Sequence, residues 1–195
     1  MDTMLRNALR KHSALRQQLD NVLLGDDGDM WETELKKFLA KRVCWNPNLL
    51  HPVDFDPAIF IGNGWKWAGK DADTRSLELT EINFSKVLFE ACLEEGEERI
   101  TGEEKRHRLI ALRGIHLDPR FGVTLLKEEG QKTLERLYQE QGITYIDFFG
   151  RFLVHPSGRR CVLYLGRNGD GRWRWDVRWL VSDWDDRSFS ACLAS

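Results

Sequence analysis

Apolar residues in the N-terminal part of the chain repeat at intervals of three and four positions, which is the period of a helix with one apolar face. The stripe over residues 2–24 consists of Leu5, Ala8, His12, Leu15, Leu19 and Val22. The segment 25–28, GDDG, ends this helix, and Asp29 followed by Glu32 forms the capping-box pattern that begins a second helix. Two helices joined by a short acidic loop predict an antiparallel helical hairpin. The long stripe of the first helix also offers a surface for a homodimer.

Prolines interrupt the chain after the hairpin, so residues 45–56 are predicted to be extended rather than helical. The apolar segment 59–61, IFI, then predicts a short strand. The proline-containing segment is the predicted boundary between two units, 1–44 and 45–195. Its own apolar residues indicate that it packs down, which leaves one continuous domain as the alternative.

Between residues 77 and 142 the apolar spacing predicts mainly helices. Their predicted ranges are 83 or 85 to 94, 101–114, 118–129 and 131–141. Thr101 and Asp118 are the predicted N-caps, the latter followed by a proline at the first helical position, and Gly142 is the predicted end of the last helix. Three helices over 101–141 resemble a helix-turn-helix unit, but the last one has balanced charges, which argues against DNA recognition.

The C-terminal third changes to a period of two, which is typical of a half-buried strand. Residues 173–179 alternate tryptophan or valine with arginine or aspartate. The turn segments 155–158, HPSG, and 168–171, NGDG, separate this strand from two earlier apolar stretches. We therefore predict an α+β fold with an N-terminal helical hairpin, a helical middle and a C-terminal three-stranded antiparallel β-meander.

Composition places the chain among globular proteins, since 42% of its 195 residues are hydrophobic and 31% are charged. The net charge of −2 excludes a strong overall attraction to nucleic acid or to an anionic membrane. No secretory signal precedes the first helix, and no apolar run approaches the ~18 residues of a membrane span, so we predict a cytoplasmic protein without a membrane partner. Cys44, Cys92, Cys161 and Cys192 have no CxxC spacing and are predicted to be free thiols.

The segment 64–71, GWKWAGKD, has the glycine and lysine spacing of a phosphate-binding loop. However, Asp71 replaces the hydroxyl residue that would hold magnesium, and Trp65 and Trp67 stand where an anion-binding nest favours small residues. No helical period follows until after Thr80, whereas such a loop opens a helix. We therefore predict a glycine-rich turn beside a strand, and no nucleotide or other cofactor.

Arginine is concentrated between residues 151 and 178, a stretch with seven arginines and two aspartates. Arg172, Arg174 and Arg178 are predicted to share the sheet face opposite the tryptophans. Such a face suits an acidic protein partner or single-stranded nucleic acid, or else it is an ordinary solvated surface countered by nearby aspartates. The full candidate binding surface is Trp65, Lys66, Trp67, Arg160, Arg172, Arg174 and Arg178. We also predict that Trp65-Lys66-Trp67 and Trp173-Arg174-Trp175 pack near one another, with their tryptophans in a shared core and their cations in water.

Motifs for catalysis are missing. No two of the five histidines have the spacing H-x-x-x-H, and no G-x-S-x-G segment is present. We therefore predict no catalytic residue and no metal site, with an enzyme built from scattered residues as an alternative.

Two stretches resemble segments of small bacterial proteins with no assigned activity. The first is SLELTEINFSKV…CLEEGEERITGEEKRHRLIALRGIHLD, from Ser76 to Asp118, and the second is GRWRWDVRWLVSDWDDRSFSACLAS, from Gly171 to Ser195; together they cover about a third of the chain. The resemblance implies a bacterial or mobile-element origin and supplies no site residue. The function predicted is that of a non-catalytic protein-binding accessory protein, immunity-like or host-defence-modulating, with nucleic-acid binding through the arginine face as the alternative.

Overall fold

The computed structural model describes residues 13, 16–21, 23–25, 28–39, 49–69 and 71–194. The chain divides into two compact units, Met1–Asn46 and Pro47–Ser195. In the first unit, residues 16–21 are helical, and helix α1 spans Gly28–Leu39. Of the apolar stripe that suggested a homodimer, only Leu19 is among the described residues. The predicted dimer surface therefore lies outside the described part of the chain.

The described residues of the second unit form eleven short or medium strands. They are β1 Leu49–Leu50, β2 Lys66–Trp67, β3 Ile82–Asn83, β4 Val87–Glu90, β5 Ile100–Thr101, β6 Ile115–His116, β7 Tyr145–Val154, β8 Arg160–Arg167, β9 Trp173–Trp179, β10 Asp183–Trp184 and β11 Ser188–Leu193. Seven of them form one sheet with the central order β4-β11-β7-β8-β9, to which β2 adds on β7 and β6 adds on β11. The sheet is mixed, because β11 runs parallel to β7 and antiparallel to β4.

Short helices accompany this sheet. They are α2 Pro57–Phe60, α3 Thr74–Glu78, α4 Gly102–Ala111, α5 Pro119–Leu125 and α6 Glu128–Gln141, with a 3₁₀ turn at Phe84–Lys86. The local signals for some helix ends are confirmed. The hydroxyl of Thr101 accepts a hydrogen bond from the Glu104 amide at 3.2 Å, the Asp118 carboxylate accepts one from the Arg120 amide at 2.8 Å, and Gly142 ends α6 with φ +69°.

The predicted fold class is wrong. The protein is not an N-terminal helical hairpin with a helical middle and a three-stranded meander, since the dominant element is a seven-stranded mixed sheet with short helices. The predicted strand over 59–61 is also wrong, because Asp56 accepts a hydrogen bond from the Ala58 amide at 2.9 Å and caps α2 instead. The three antiparallel strands predicted at the C-terminus pair as β7, β8 and β9, but they are only part of the larger sheet.

The prediction of a helical middle is wrong mainly at residues 83–94. The apolar run there forms a 3₁₀ turn and then strand β4, which pairs with β11 through Leu88 and Cys192. A short apolar run is compatible with a helix or a strand, and here the partner strand decides. That partner was not predicted as a strand, because its serines interrupt the apolar pattern of the C-terminal residues.

The sheet packs apolar side chains on both faces. Side chains alternate along a strand, so Leu163 and Leu165 of β8 join one core cluster and Val162, which precedes Leu163, joins another. The first cluster includes apolar residues of α5 and α6, and the second includes Leu109 of α4 and Trp184 of β10. The β7–β8 register shifts between Phe148 and Leu153.

Candidate binding sites

The two aromatic–cation–aromatic segments share one core, as predicted. Trp173 belongs to the first core cluster, and Trp65, Trp67, Trp175 and Trp179 pack against it. Two phenylalanines bridge them: Phe55 lies 4.9 Å from Trp67 and 4.6 Å from Phe60, and Phe60 lies 4.8 Å from Trp175, all between ring centroids. The cations Lys66 and Arg174 between these tryptophans are exposed.

The tryptophans of the second unit, which were predicted to anchor a partner, contribute to the cores of the fold. Trp173 is 3% exposed and Trp184 is fully buried, so both contribute to the cores and are not available as anchors for a partner. Among the described tryptophans, only Trp31 in the first unit is exposed. The other described tryptophans of this unit, Trp65, Trp67, Trp175 and Trp179, are half-buried and keep only part of their surface available to a partner.

The glycine-lysine segment is a turn followed by a short strand. Gly64 has φ +84°, and Lys66 pairs with Val154 of β7. The carboxylate of Asp71, which stands at the hydroxyl position of a phosphate loop, forms ion pairs with Arg160 at 2.6 Å and Arg106 at 3.3 Å. The aspartate therefore ties this segment to β8 and α4.

Arg160 of β8 also holds separate segments of the fold together. Besides Asp71, its guanidinium forms an ion pair with Glu103 at the start of α4. Since both of these carboxylates belong to the second unit, Arg160 connects elements of the fold and is only partly free to contact another molecule.

The predicted arginine face is only partly assembled. Arg174 and Arg178 lie on the same side of β9, four residues apart, opposite the side that carries Trp173 and Trp175. Arg172 precedes the strand, where its amide donates to Asp170 at 3.1 Å. Arg174 forms an exposed ion pair with the same aspartate at 3.2 Å.

Of the arginines on this face, Arg178 is the one held by several neighbouring side chains. We define the Arg178 cluster as Arg178, Tyr145, Tyr164, Trp184 and Ser188. The guanidinium carbon lies 5.0 Å from the ring centre of Tyr164, 5.9 Å from that of Tyr145 and 5.2 Å from that of Trp184. Its Nη1 donates a hydrogen bond to the Ser188 hydroxyl at 3.0 Å. Among the described residues no carboxylate forms a salt bridge with Arg178.

The two tyrosines of the cluster are neighbours across the β7–β8 pair, with ring centroids 6.1 Å apart. The Tyr164 hydroxyl donates to Asp176 at 3.3 Å. Burial, together with the negative charge of Asp176, raises the pKa of the Tyr164 phenol, so the group remains a neutral donor at neutral pH. The cluster thus presents two half-buried phenols and a guanidinium in one place.

A buried ion pair lies beneath the cluster. Lys105 of α4 and Asp147 of β7 are both fully buried, with Nζ and Oδ2 3.1 Å apart. The indole nitrogen of Trp184 donates to the same carboxylate oxygen at 2.8 Å, and Lys105 Nζ also donates to the Ser188 carbonyl oxygen. No sequence motif indicated this pair, because a lysine in a charged helix and an aspartate in an apolar strand have no fixed spacing.

The second candidate site is a cavity of about 220 Å³. Its lining residues are Asp71, Ala72, Asp73, Arg75, Arg106, Leu109, Ile110, His116, Phe149 and Phe152. We call it the His116 cavity. Sequence analysis missed this site, because its residues come from separate segments that only the fold brings together.

Arg75 and Asp73 line one side of this cavity and are paired with each other. Arg75 donates from Nε and Nη2 to the two carboxylate oxygens of Asp73, at 2.9 and 2.8 Å. It also donates to the carbonyl oxygens of Arg113 at 3.2 Å and Gly114 at 2.7 Å. Asp73 accepts a further hydrogen bond from the His116 amide at 3.1 Å. These contacts connect α3 to the turn before β6.

His116 is 7% exposed, and its Nδ1 has no hydrogen-bond partner within the described ranges. Burial lowers the pKa of His116, and the nearby positive charge of Arg75 acts in the same direction, whereas Asp73 and a hydrogen bond with the Leu109 backbone oppose this. The ring is therefore neutral at neutral pH.

This burial gives a pH prediction. A histidine whose pKa is lower in the folded state stabilises the fold above its unfolded pKa and loses that contribution as the pH falls. Replacing His116 with phenylalanine should therefore make the free energy of unfolding fall less between about pH 7 and pH 5 than it does in the wild type. Urea unfolding at each pH measures the slope. The exposed His107 replaced by phenylalanine is the control, and equal slopes in wild type and the His116 variant would contradict the prediction.

The described cysteines are free thiols in the second unit. Cys92 is half-buried, and Cys161 and Cys192 are buried. Burial raises the pKa of both Cys161 and Cys192 to about 11, so neither is a reactive thiolate at neutral pH. Within the described ranges no group of three His, Cys, Asp or Glu side chains could hold a metal ion.

No helix in the described part of the chain has the length and apolar character needed to cross a membrane. No protein-family model, curated protein or solved structure matches the chain. The function is therefore inferred from two sites of the structure, the Arg178 cluster and the His116 cavity.

Proposed function

We propose that this protein is a non-catalytic accessory protein that binds a protein partner through the Arg178 cluster. The observation that carries the proposal is a guanidinium held over two tyrosine rings with no carboxylate in a salt bridge to it among the described residues. The three described thiols are free, which favours a reducing cytoplasm as its compartment.

The cluster has the composition and rigidity of an interface anchor. Arginine and tyrosine are among the side chains that contribute most binding energy at protein interfaces. Arg178 is held by Ser188 and by the ring of Trp184, which is itself fully buried. Because these side chains are ordered before binding, a partner would pay less conformational entropy to contact them.

The surrounding charges favour a protein partner over nucleic acid. Asp176 is exposed beside Tyr164, and Asp170, which pairs with Arg174, lies in the turn before β9. A phosphate backbone would be repelled by these carboxylates, and the chain as a whole has a net charge of −2. A protein surface can instead offer a carboxylate to Arg178 and basic or neutral polar groups to the aspartates.

The test begins with recovery of the tagged full-length chain from its native host, with and without nuclease treatment, and identification of the bound protein by mass spectrometry. The purified partner is then titrated against three proteins: the wild type, Arg178→Glu and the control Lys86→Glu. Lys86 is exposed in the 3₁₀ turn before β4, at the end of β11 away from Ser188 of the cluster. Thermal unfolding checks that each variant is folded.

We expect Arg178→Glu to weaken binding by about 30-fold or more, as the loss of an interface hot spot does. Lys86→Glu should change affinity by less than about threefold. Equal effects of the two variants, or a partner whose binding ignores both, would overturn the proposal. If nuclease removes the bound material and affinity for oligonucleotides falls steeply with salt, the arginine face binds nucleic acid instead.

A further inference from the structure

We propose that the His116 cavity binds a small aromatic acid, a single ring that carries a carboxylate and a hydroxyl or N–H donor. The cavity, at about 220 Å³, is larger than the ~150 Å³ that accommodates benzene in an engineered protein core. It is smaller than the ~300 Å³ at which sites for drug-sized ligands begin. Its volume therefore suits a ligand of one substituted ring.

The apolar part of the lining suits the ring. Phe149 and Phe152 are 4% and 2% exposed, and their ring planes are almost perpendicular. Leu109, which is buried, and Ile110, which is 55% exposed, come from α4 and also line the cavity. Aromatic side chains receive a flat ligand by stacked or edge-to-face contacts.

His116 supplies an acceptor for the donor group of the ligand. Its Nδ1 is buried and has no hydrogen-bond partner among the described residues. Since the neutral ring donates through one nitrogen, the other has a free lone pair. Leaving a buried acceptor unpaired is costly, and a hydroxyl or N–H group of a ligand would remove that cost.

Arg106 supplies the cation for the carboxylate. Its guanidinium lies 5.6 Å from the ring centre of Phe152, and its side chain is 24% exposed. Among the described residues its hydrogen bonding is limited to one contact from Nη2 to Asp71 at 3.3 Å. Asp71 lies closer to Arg160, at 2.6 Å, so Arg106 retains N–H donors for an anion.

The other charged groups of the lining do not compete with this role. Asp73 is paired with Arg75, and Asp71 with Arg160. Arg75 in turn directs its donors to Asp73 and to backbone carbonyl oxygens. An anion near Arg106 would therefore face carboxylates that already have counter-ions.

The probes for the test are 3- and 4-hydroxybenzoate, with benzoate and phenol as controls that each lack one functional group. Binding to the full chain is measured by calorimetry and by the NMR shifts of the His116 ring nitrogens. We expect the better hydroxybenzoate to bind at least about tenfold more tightly than benzoate or phenol, the change that one hydrogen bond to a buried or charged group gives.

Two variants separate the contacts. His116→Phe should abolish the preference for hydroxybenzoate over benzoate, and Arg106→Gln should abolish its preference over phenol, while Arg99→Gln should leave both unchanged. If His116→Phe does not fold, the NMR shifts of the wild-type ring and the Arg106 variant still decide the outcome. The proposal is wrong if no probe saturates the His116 shifts, or if affinity is indifferent to Arg106. Because Arg178→Glu leaves this cavity intact, failure here is distinguishable from failure of partner binding.

Discussion

Replacing Asp147 with alanine is expected to lower the free energy of unfolding by about 3–5 kcal/mol, because it leaves the ammonium of Lys105 buried without a counter-ion. Both side chains are fully buried, so water cannot replace the lost carboxylate without opening the core. The Trp184 indole, which donates to Asp147 at 2.8 Å, would also lose its partner. Urea unfolding followed by tryptophan fluorescence measures the effect.

The matched control is Asp186→Ala, at an exposed aspartate in the turn before β11. Its free energy of unfolding should lie within about 0.5 kcal/mol of the wild type. The double variant Lys105→Met with Asp147→Leu should recover most of the lost stability, since an apolar pair removes the unpaired charge. Equal stability of the Asp147 and Asp186 variants would contradict the assignment of the buried ion pair.

Replacing Gly150 with alanine is the second substitution with a large expected effect. A Cβ at this position would lie 2.3 Å from the carbonyl oxygen of His116 and 2.6 Å from the amide nitrogen of Asp118. These are backbone atoms, so no side chain can rotate away. We expect a loss of about 3 kcal/mol or more, at or beyond the upper end for overpacked core positions.

The close approach of Gly150 to residues 116–118 allows its backbone to form two hydrogen bonds with other segments. The Gly150 amide donates to the Leu117 carbonyl oxygen at 3.0 Å, and its own carbonyl oxygen accepts from the Asp73 amide at 2.7 Å. Gly150 therefore holds two walls of the His116 cavity against β7, and the variant should also lose affinity for hydroxybenzoate. Gly69→Ala is the control, because a Cβ there meets no atom of the described residues within 4 Å apart from its chain neighbours. If the Gly150 variant unfolds at the same urea concentration as the Gly69 variant, the packing described for β7 is incorrect.

Short-range features of the fold could be predicted from the sequence. The caps at Thr101 and Asp118, the glycine end at Gly142 and the two C-terminal hairpin turns depend on neighbouring residues, and the structure confirms them. The shared tryptophan core could be predicted for a related reason. Alternation along a strand places large apolar side chains on one face, and these must then be buried together.

Strand β11 shows why the fold class could not be predicted. Its six residues lie between β4 and β7, so both edges of the strand are paired, and four of the six residues are buried. Ser188 and Ser190 are buried there, 1% and 0% exposed, whereas serine is mostly a surface residue and a serine-containing segment is therefore predicted to be exposed. Without this strand, residues 83–94 have no visible partner and their apolar run predicts a helix.

The sequence by itself determined the local elements of this protein: where several helices begin and end, where the chain turns, and which tryptophans share a core. Only the tertiary structure decided the sites. The Lys105–Asp147 pair, the Arg178 cluster and the His116 cavity join residues from separate elements. The physical reason is that caps and turns depend on bonds within a few residues, whereas strand order and buried charge depend on contacts between distant parts of the chain.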